Sequence, residues 1–207
     1  MTRMRLISVL TALLLLAGMA FCVQTGRAAG VEDAVYEAMA AHISPGLTAV
    51  ARVVTSLCDP VTVAVVCLLL LAIPRTRRTI ALPVTAVAAA AVALSTALKH
   101  LFARERPQIL WLVQETGFSF PSSHSATSAA IGTSLALLAA LYVKRPGMRA
   151  VLMSLGVLYP LLVGLSRIYL GVHYAGDVLG GWLLGYAVGT TVFTAWRRWA
   201  QGRDAAG

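Results

Sequence analysis

The sequence is short of charged residues, and of acidic residues above all. Asp, Glu, Lys and Arg together make up 12% of its 207 residues, and only 8 residues are Asp or Glu. Soluble domains carry about 25% charged residues, so this composition excludes an ordinary soluble globular domain. Hydrophobic residues make up 58% of the chain instead. We therefore expect a single membrane domain over residues 1–207 rather than two soluble domains.

Cysteine is also scarce, and its spacing fits neither a metal site nor a redox motif. Cys22, Cys58 and Cys67 lie far apart, in or beside apolar segments. Zinc ligands and redox cysteines come in close pairs. We predict no disulfide, and the sequence contains nothing that resembles a metal-ligand cluster, so neither a metal nor a cofactor is expected.

The formal net charge of +9 does not indicate a nucleic-acid-binding protein. The basic residues occur in short clusters between apolar runs, whereas nucleic-acid binding needs a basic face on a folded domain. No nucleic-acid partner is therefore expected. The clusters are Arg3 with Arg5, Arg75 to Arg78, Lys144 to Arg149, and Arg197 to Arg203.

The apolar runs predict a polytopic bundle of six transmembrane helices. Leu6 to Val23 could be a signal peptide or a first span; its length and the lack of a small-x-small cleavage site favour a retained helix. Asp59-Pro60 predicts a helix start, but Pro60 to Ile73 would be only about 21 Å long. We therefore expect this second span to include residues before Asp59. The remaining spans are predicted at 79–102, 126–143, 150–165 and 178–196.

The basic clusters also predict the orientation of the bundle. All four fall on one side of a six-span topology, and that side should be the cytoplasm. Both termini are then cytoplasmic, in the inner (plasma) membrane. The polar segments 103–123 and 169–177 face the extracytoplasmic side. An amphipathic helix from Gly30 to Ile43 is expected to lie at the membrane interface.

Three cations border the polar segments. Lys99 and Arg106 are seven residues apart, two helical turns, so both would point the same way if the third span continued that far. Arg167 adds a third cation. Convergent cations near a bilayer surface need an anion, and a tetrahedral phosphate matches them. Each residue taken alone could equally be a snorkelling anchor for a helix end.

Two histidines give the polar segments a possible chemistry. His173 and Asp177 are four residues apart and could meet on one helical face or across a short turn. A carboxylate on one ring nitrogen fixes the tautomer and leaves the other nitrogen free to attack phosphorus. Asp177 could also be the N-cap of the last span. His124 could protonate a leaving-group oxygen, or it could be an interfacial histidine bonded to a neighbour.

Two serines precede His124 at the predicted start of the fourth span. Ser122 and Ser123 would present hydroxyl and backbone N–H groups at a helix N-terminus, where the helix dipole favours an anion. Helix capping alone would explain one of them. These serines therefore complete a set of candidate phosphate-binding groups.

Together, the three segments resemble the signature of the type 2 phosphatidic acid phosphatase family, which shares a site with vanadium haloperoxidases. They read K-x6-R-P from Lys99, P-S-x-H from Pro121, and S-R-x5-H-x3-D from Ser166. The resemblance covers residues 99–177 and, through the six-helix layout, most of the chain. It implies a metal-independent phosphatase that acts on lipid phosphates.

The resemblance also implies a role for each residue. His173 would become a transient phosphohistidine, Asp177 would orient it, and His124 would protonate the leaving group. The family usually has glycine where Ser123 stands, so serine would add strain if that turn needs φ > 0. The residues implied to bind phosphate are Lys99, Arg106, Ser122, Ser123 and Arg167.

Several functions fit these residues. The favoured hypothesis is a lipid phosphatase acting on undecaprenyl diphosphate, phosphatidylglycerophosphate or phosphatidic acid, with a slight preference for the first. A lipid phosphotransferase could use the same phosphohistidine. A haloperoxidase is disfavoured by the hydrophobic spans, because those enzymes are generally soluble. A non-enzymatic anion-binding transporter could line its path with the same Arg and His residues.

Overall fold

A computed structural model of the chain describes residues 2–108 and 111–204, and within them the regular secondary structure is helical throughout. The all-α prediction is therefore confirmed. A five-residue π-helical turn, Arg77–Ala81, leads directly into the fifth α-helix. The α-helices are α1 (Arg3–Gln24), α2 (Ala29–Ala40), α3 (Pro45–Ser56), α4 (Pro60–Ala72), α5 (Leu82–Phe102), α6 (Ser123–Tyr142), α7 (Pro146–Tyr169) and α8 (Ala175–Asp204).

Five helical segments in the described residues are long and apolar enough to cross a membrane. A sixth candidate consists of α3 and α4, which satisfy the same criterion together but meet at a bend of 46°. This pair covers the segment for which a composite second span was predicted. The five single segments are Arg3–Gln24, Arg77–Phe102, Ser123–Tyr142, Pro146–Tyr169 and Ala175–Gly202.

The outer faces of the bundle are apolar and open. Leu14 in α1 is 74% exposed and Val61 in α4 is 75% exposed, and Val157 in α7 is similarly uncovered. Apolar faces of this extent are unusual on a soluble monomer but are stable against lipid tails. Together with the candidate spans, they define a multi-pass membrane protein.

Helix α5 ends at Phe102, the predicted end of the third span, and does not continue to Arg106. Ala103 follows the helix in the left-handed region, with φ at 45°, an uncommon conformation for a residue other than glycine. The backbone N–H of Ala103 still donates to Lys99 O, which closes the last turn. Arg106 also precedes Pro107, which disfavours helical backbone at that position. Lys99 and Arg106 therefore do not share a helical face, and the loop after α5 sets the direction of the Arg106 side chain.

Helices α6 and α8 approach each other closely along a row of glycines in α8. A Cβ atom at Gly181 would lie 2.6 Å from the Ser122 carbonyl oxygen, and one at Gly185 would collide with the Ala126 carbonyl group. Only glycine allows two backbones to approach this closely. The contact brings the N-terminal ends of α6 and α8 side by side, where the middle and last sequence motifs lie.

We expect Gly185→Ala to destabilise the protein. The added methyl group has no space beside the Ala126 carbonyl group, and overpacking of this kind costs about 1–3 kcal/mol. Thermal unfolding of the detergent-solubilised protein measures the change. Gly18→Ala is the matched control, because a Cβ at Gly18 in α1 meets no atom within 4 Å. Equal melting temperatures for the two variants would contradict the close α6–α8 contact.

Candidate active site

The predicted site residues gather at one end of the helix bundle. The N-terminal ends of α6 and α8 are joined there by a 2.9 Å hydrogen bond from Ser122 N to Asp177 O. The C-terminal turns of α5 and α7 bring Lys99 and Arg167 to the same end. The loop that follows α5 and the short loop before α8 complete the site, the second of them carrying His173.

His173 is buried between a carboxylate and a guanidinium group. Its Nδ1 lies 3.4 Å from Asp177 Oδ2, and its Nε2 lies 3.1 Å from Arg106 Nη1. Because a guanidinium nitrogen only donates hydrogen bonds, Nε2 must be an acceptor, and Nδ1 then carries the proton that it donates to Asp177. These contacts assign one neutral tautomer with a lone pair on Nε2. His173 precedes α8 and Asp177 lies in its first turn. The two residues therefore meet across the start of the helix and do not share a helical face.

Burial lowers the pKa of His173 well below the ordinary histidine value. Its hydrogen bond to Asp177 and the negative charge of that carboxylate act in the opposite direction, whereas the cations Arg167 and Lys99 lower the pKa further. The imidazole ring is therefore neutral at pH 7. A neutral ring is the form that a nucleophilic histidine requires.

Asp177 is not the N-cap of the last helix, which corrects that expectation. Helix α8 begins at Ala175, so Asp177 is its third residue. Its Oδ2 accepts a 2.9 Å hydrogen bond from the backbone N–H of Tyr174, the residue before the helix. This contact is the N3 half of a capping box. The same carboxylate oxygen also accepts a hydrogen bond from Ser119 Oγ, so one group orders the helix start, the histidine and the neighbouring loop.

A second ion-pair network on Asp177 was not predicted from the sequence. Arg104 Nη1 lies 2.6 Å from Asp177 Oδ1, and Arg104 Nη2 lies 2.6 Å from Glu32 Oε2 in α2. Glu32 is only 3% exposed and also accepts a 3.1 Å hydrogen bond from Gly176 N. Burial alone lowers the pKa of Arg104, but its pairing with Glu32 and Asp177 raises that pKa overall. Arg104 is therefore a permanent cation beside the carboxylate of Asp177.

Two of the predicted phosphate-binding cations converge on an acidic residue that was not predicted. Glu115 Oε1 pairs with Arg167 Nη2, and Glu115 Oε2 lies 3.6 Å from Arg106 Nη2. Arg167 also donates a 3.0 Å hydrogen bond to Thr55 Oγ1. Among the described residues, the buried Nε of Arg167 has no hydrogen-bond partner. The carboxylate of Glu115 therefore occupies an anion position between two guanidinium groups, and one donor is left for a further acceptor.

Backbone carbonyl groups hold the guanidinium of Arg106 in place. Its Nε donates to Gly117 O at 3.0 Å, its Nη2 to Thr116 O at 3.0 Å, and its Nη1 to Val172 O at 2.9 Å. Burial lowers the pKa of Arg106 from its usual value, yet a guanidinium stays charged at neutral pH. Arg106 is thus a fixed charge beside His173 Nε2.

The ammonium group of Lys99 contacts backbone carbonyl groups. It donates to the carbonyl oxygen of Phe118 and, at 3.2 Å, to that of Ser119. These bonds hold the segment whose Ser119 side chain reaches Asp177. The positive charge of Lys99 nevertheless acts on His173, so the ammonium group contributes to the electrostatics of the site.

The two predicted serines have different local roles. Ser122 is the N-cap of α6, and its Oγ accepts a 3.4 Å hydrogen bond from Ser125 N. Ser123 begins the helix, and its Oγ lies 3.1 Å from Ser95 Oγ of α5. Among the described residues, the non-glycine residue with a positive φ is Ala103, not Ser123. The strain expected from serine in place of glycine is therefore absent at Ser123, because this position has helical backbone.

His124 lies in the first turn of α6 and is bonded to a residue that was expected only to start a helix. Its Nε2 is 3.0 Å from Asp59 Oδ1, at the bend between α3 and α4. The charges of Arg167 and Glu115 also act on the His124 ring, so His124 lies beside the arginine pair. The sequence motif identified His124, but no local signal indicated its partner.

The fold and this site define a polytopic helical membrane protein with a buried histidine–aspartate pair beside two arginines. The family model described as "PAP2 superfamily" matches residues 80–201. Because this match covers more than half of the chain, the chain belongs to the PAP2 superfamily. The matched segment runs from the start of the third candidate span to the end of α8 and contains all three motifs.

Two curated proteins resemble part of the chain. Phosphatidylglycerophosphatase B from Bacillus subtilis is 43% identical over 94 residues, which cover 44% of this chain and 46% of that protein. Undecaprenyl-diphosphatase from Sulfolobus acidocaldarius is 31% identical over 101 residues, covering 46% of this chain and 45% of that protein. The chain thus spans about half the length of the curated relatives it matches.

Two crystal structures have similar folds. A transmembrane PAP2 type phosphatidylglycerolphosphate phosphatase from Bacillus subtilis superposes with a TM-score of 0.81 at 26% identity, covering 92% of this chain and 96% of that chain. LpxE from Aquifex aeolicus superposes with a TM-score of 0.62 at 25% identity, covering 77% of this chain and 92% of that chain. The likeness to the first structure therefore includes the helices outside the three motifs.

We expect Glu115→Gln to strengthen the binding of orthovanadate, an oxyanion with the shape of phosphate. An anion that binds Arg106 and Arg167 must first displace the carboxylate of Glu115, and a partly exposed ion pair is worth about 1 kcal/mol, or roughly fivefold in affinity. Calorimetric titration of the purified protein measures the change. Glu37→Gln, at an exposed position in α2, should leave the affinity unchanged. Weaker binding by Glu115→Gln would indicate that Glu115 instead holds the two arginines in position.

Proposed function

We propose that this chain is a membrane lipid phosphatase that uses His173 as its nucleophile. The observation that carries the proposal is the neutral His173 ring, with Nδ1 held by Asp177 and the Nε2 lone pair facing Arg106. A phosphate bound to the arginine would lie within reach of that lone pair. The curated relatives are named as phosphatases of lipid phosphates, which supports the same reaction here.

The proposed reaction has two steps. His173 Nε2 attacks phosphorus, the bond from phosphorus to the lipid oxygen breaks, and that oxygen takes a proton from His124. Water then attacks the phosphohistidine, His124 accepts a proton from the water, and the N–P bond breaks to release inorganic phosphate. Arg106 and Arg167 stabilise the negative charge that the transferring group carries in both steps. The hydroxyl groups of Ser122 and Ser123, the backbone N–H of Ser123 and the ammonium group of Lys99 are proposed to complete the phosphate site.

We further propose six transmembrane spans with the site on the extracytoplasmic side. The basic clusters support this orientation, since Arg5, Arg78, Arg197 and Arg198 collect at the end of the bundle away from the site. Trp196 Nε1 donates a 3.2 Å hydrogen bond to Arg78 O, and Arg5 and Arg197 line a common cavity. A basic end of this kind favours the cytoplasmic side of an inner membrane. A lipid headgroup would then enter the site from outside while its tail stays in the bilayer.

An apolar cleft supports a lipid over a water-soluble phosphate as the substrate. Its walls come from α4, α6, α7 and the segment that begins α5. One end of the cleft lies at Leu57, two residues before the histidine partner Asp59. Hydrocarbon chains bind in such clefts by burial of apolar surface. Lining residues include Leu57, Val63, Val66, Val84, Leu135 and Tyr159.

The proposal is tested by phosphate release from purified protein in detergent with EDTA. Phosphatidylglycerophosphate, undecaprenyl diphosphate and phosphatidic acid are offered separately, because the curated relatives carry names for two different substrates. We expect release from at least one lipid, and a loss on the order of 10³-fold or more in His173→Ala, since removal of a nucleophile abolishes the covalent route.

The control for the nucleophile variant is His42→Ala. His42 is an exposed histidine whose Nδ1 bonds only the nearby Ala38 O at 2.8 Å, so its loss should leave turnover unchanged. Wild-type turnover by His173→Ala would refute the nucleophile assignment. Transfer of phosphate to an added alcohol instead of water would point to a phosphotransferase, and anion transport without any turnover would point to a transporter.

The lowered pKa of His173 predicts activity in acid. A histidine nucleophile with an ordinary pKa would be protonated, and thus inactive, below a pH of about 6.5. Because burial lowers the pKa of His173, we expect the acid limb of the kcat/KM profile to fall below that value. Phosphate release measured across the acid range gives the midpoint. A midpoint at or above the ordinary value would mean that the ring is not desolvated during turnover.

A further inference from the structure

The bend between α3 and α4 carries a carboxylate, that of Asp59, which does not cap the helix that follows it. Asp59 occupies the N-cap position of α4, ahead of Pro60, but its side chain makes no capping hydrogen bond. The two helices meet there at 46°. An Asp-Pro pair normally caps and starts the helix that follows it. The carboxylate of Asp59 is therefore free for a tertiary contact.

That contact is with His124. Asp59 Oδ1 lies 3.0 Å from His124 Nε2, and the two side chains are 47% and 12% exposed. A carboxylate accepts hydrogen bonds, so Nε2 carries the proton and donates it. Nδ1 is then the ring nitrogen left to exchange a proton with a bound substrate. An ion pair with one partner half exposed adds little stability, so orientation of the ring is the larger effect of this contact.

The two residues before Asp59 are bonded to α6 and α7, two of the helices that carry the site. Cys58 Sγ donates to His124 O at 3.4 Å, and Tyr159 OH donates to Leu57 O at 3.1 Å. The first bond ties the bend to α6, and the second ties it to α7. Asp59 is thus held against the start of α6 by contacts that do not involve its own side chain.

A histidine in the first turn of a helix needs a counter-charge if it is to carry a proton. The N-terminal end of a helix stabilises anions, not cations, and His124 is the second residue of α6. The cation Arg167 also acts on the His124 ring, and the carboxylates that act on it are Glu115 and Asp59. Of these two, Asp59 contacts the ring directly.

We propose that Asp59 is a positioning residue that orients His124 and stabilises its protonated form. This inference rests on the proposed phosphatase reaction. In the first step, the ring gives its Nδ1 proton to the departing lipid oxygen as the P–O bond breaks. In the second step, Nδ1 takes a proton from the attacking water as the N–P bond breaks. Asp59 keeps Nε2 protonated throughout and so directs both transfers to Nδ1.

The dependence on the leaving group tests this role. Octyl phosphate releases an alkanol, which must be protonated as it leaves, whereas 4-nitrophenyl phosphate releases a phenolate that is stable without a proton. General acid catalysis contributes about 10²–10⁴-fold, and we expect Asp59→Asn to lose roughly 10- to 100-fold of this on octyl phosphate. On 4-nitrophenyl phosphate we expect kcat/KM to fall by less than about threefold, because the phenolate needs no general acid. Both comparisons use kcat/KM, which excludes the later water step that the two substrates share.

Four further variants complete the experiment: Asp59→Ala, His124→Ala, the double variant Asp59→Asn with His124→Ala, and Glu37→Gln. Asp59→Asn keeps the size of the side chain and an acceptor oxygen, so it removes only the charge; Asp59→Ala removes both and should lose at least as much. Combining Asp59→Asn with His124→Ala should cost no more than His124→Ala alone, because both changes act on one proton transfer. Glu37→Gln, an exposed carboxylate in α2, should match the wild-type protein on both substrates.

Each outcome decides the inference. Equal losses on the two substrates, or additive losses in the double variant, would mean that Asp59 only supports the fold, and the phosphatase proposal would stand without it. A wild-type protein that hydrolyses neither substrate nor any of the three lipids would overturn both. A selective loss on octyl phosphate that disappears in the His124→Ala background would establish Asp59 as the positioning residue.

Discussion

The burial of the Asp177 carboxylate constrains the whole site. This group has no exposed surface, and a buried charge is tolerated only when it is paired and hydrogen-bonded. Its two oxygens are satisfied by the His173 ring, the Ser119 hydroxyl, the backbone N–H of Tyr174 and the Arg104 guanidinium. Its backbone carbonyl group also accepts from Ser122 N at the start of α6. The requirement to satisfy one charge thus fixes two loops and two helix ends.

The same requirement links the site to helix α2. Arg104 satisfies Asp177 and is itself satisfied by Glu32 of α2. Glu32 in turn accepts from Gly176 N in the first turn of α8. Helix α2 is therefore bonded to the element that carries Asp177, and it does not simply rest on the bundle. A buried network of this kind is rigid because each member would be left unpaired by the loss of another.

The guanidinium groups of Arg106 and Arg167 also need a counter-charge, and a less buried carboxylate supplies it. Arg106 and Arg167 lie close together in a poorly solvated place, where like charges repel. Glu115 lies between them and supplies an anion from the protein itself. A carboxylate that is 24% exposed can be exchanged for another anion more readily than one with the burial of Asp177. One carboxylate against two guanidinium groups leaves this cluster with a net positive charge, which favours a further anion.

The motif residues were predictable because their signals are local. Lys99, His124, Arg167 and His173 stand at fixed spacings beside apolar runs, and the apolar runs themselves follow from composition along the chain. The candidate spans were predictable for the same reason. The third span ends at Phe102 as predicted, so the condition for Lys99 and Arg106 to share a helical face is not met; the left-handed Ala103 and the proline at 107 end the helix first.

What the sequence determined by itself is the class of the chain, its apolar helices and the set of polar residues that meet at one end. The partners of those residues were decided by the tertiary structure. Glu32 meets Arg104 across 72 residues, Asp59 meets His124 across 65, and Glu115 meets Arg167 across 52. A single carboxylate has no periodicity along the chain, and its partner depends on which helix end packs beside it. For this reason Asp59 reads in sequence as a helix cap and lies in the fold against a histidine.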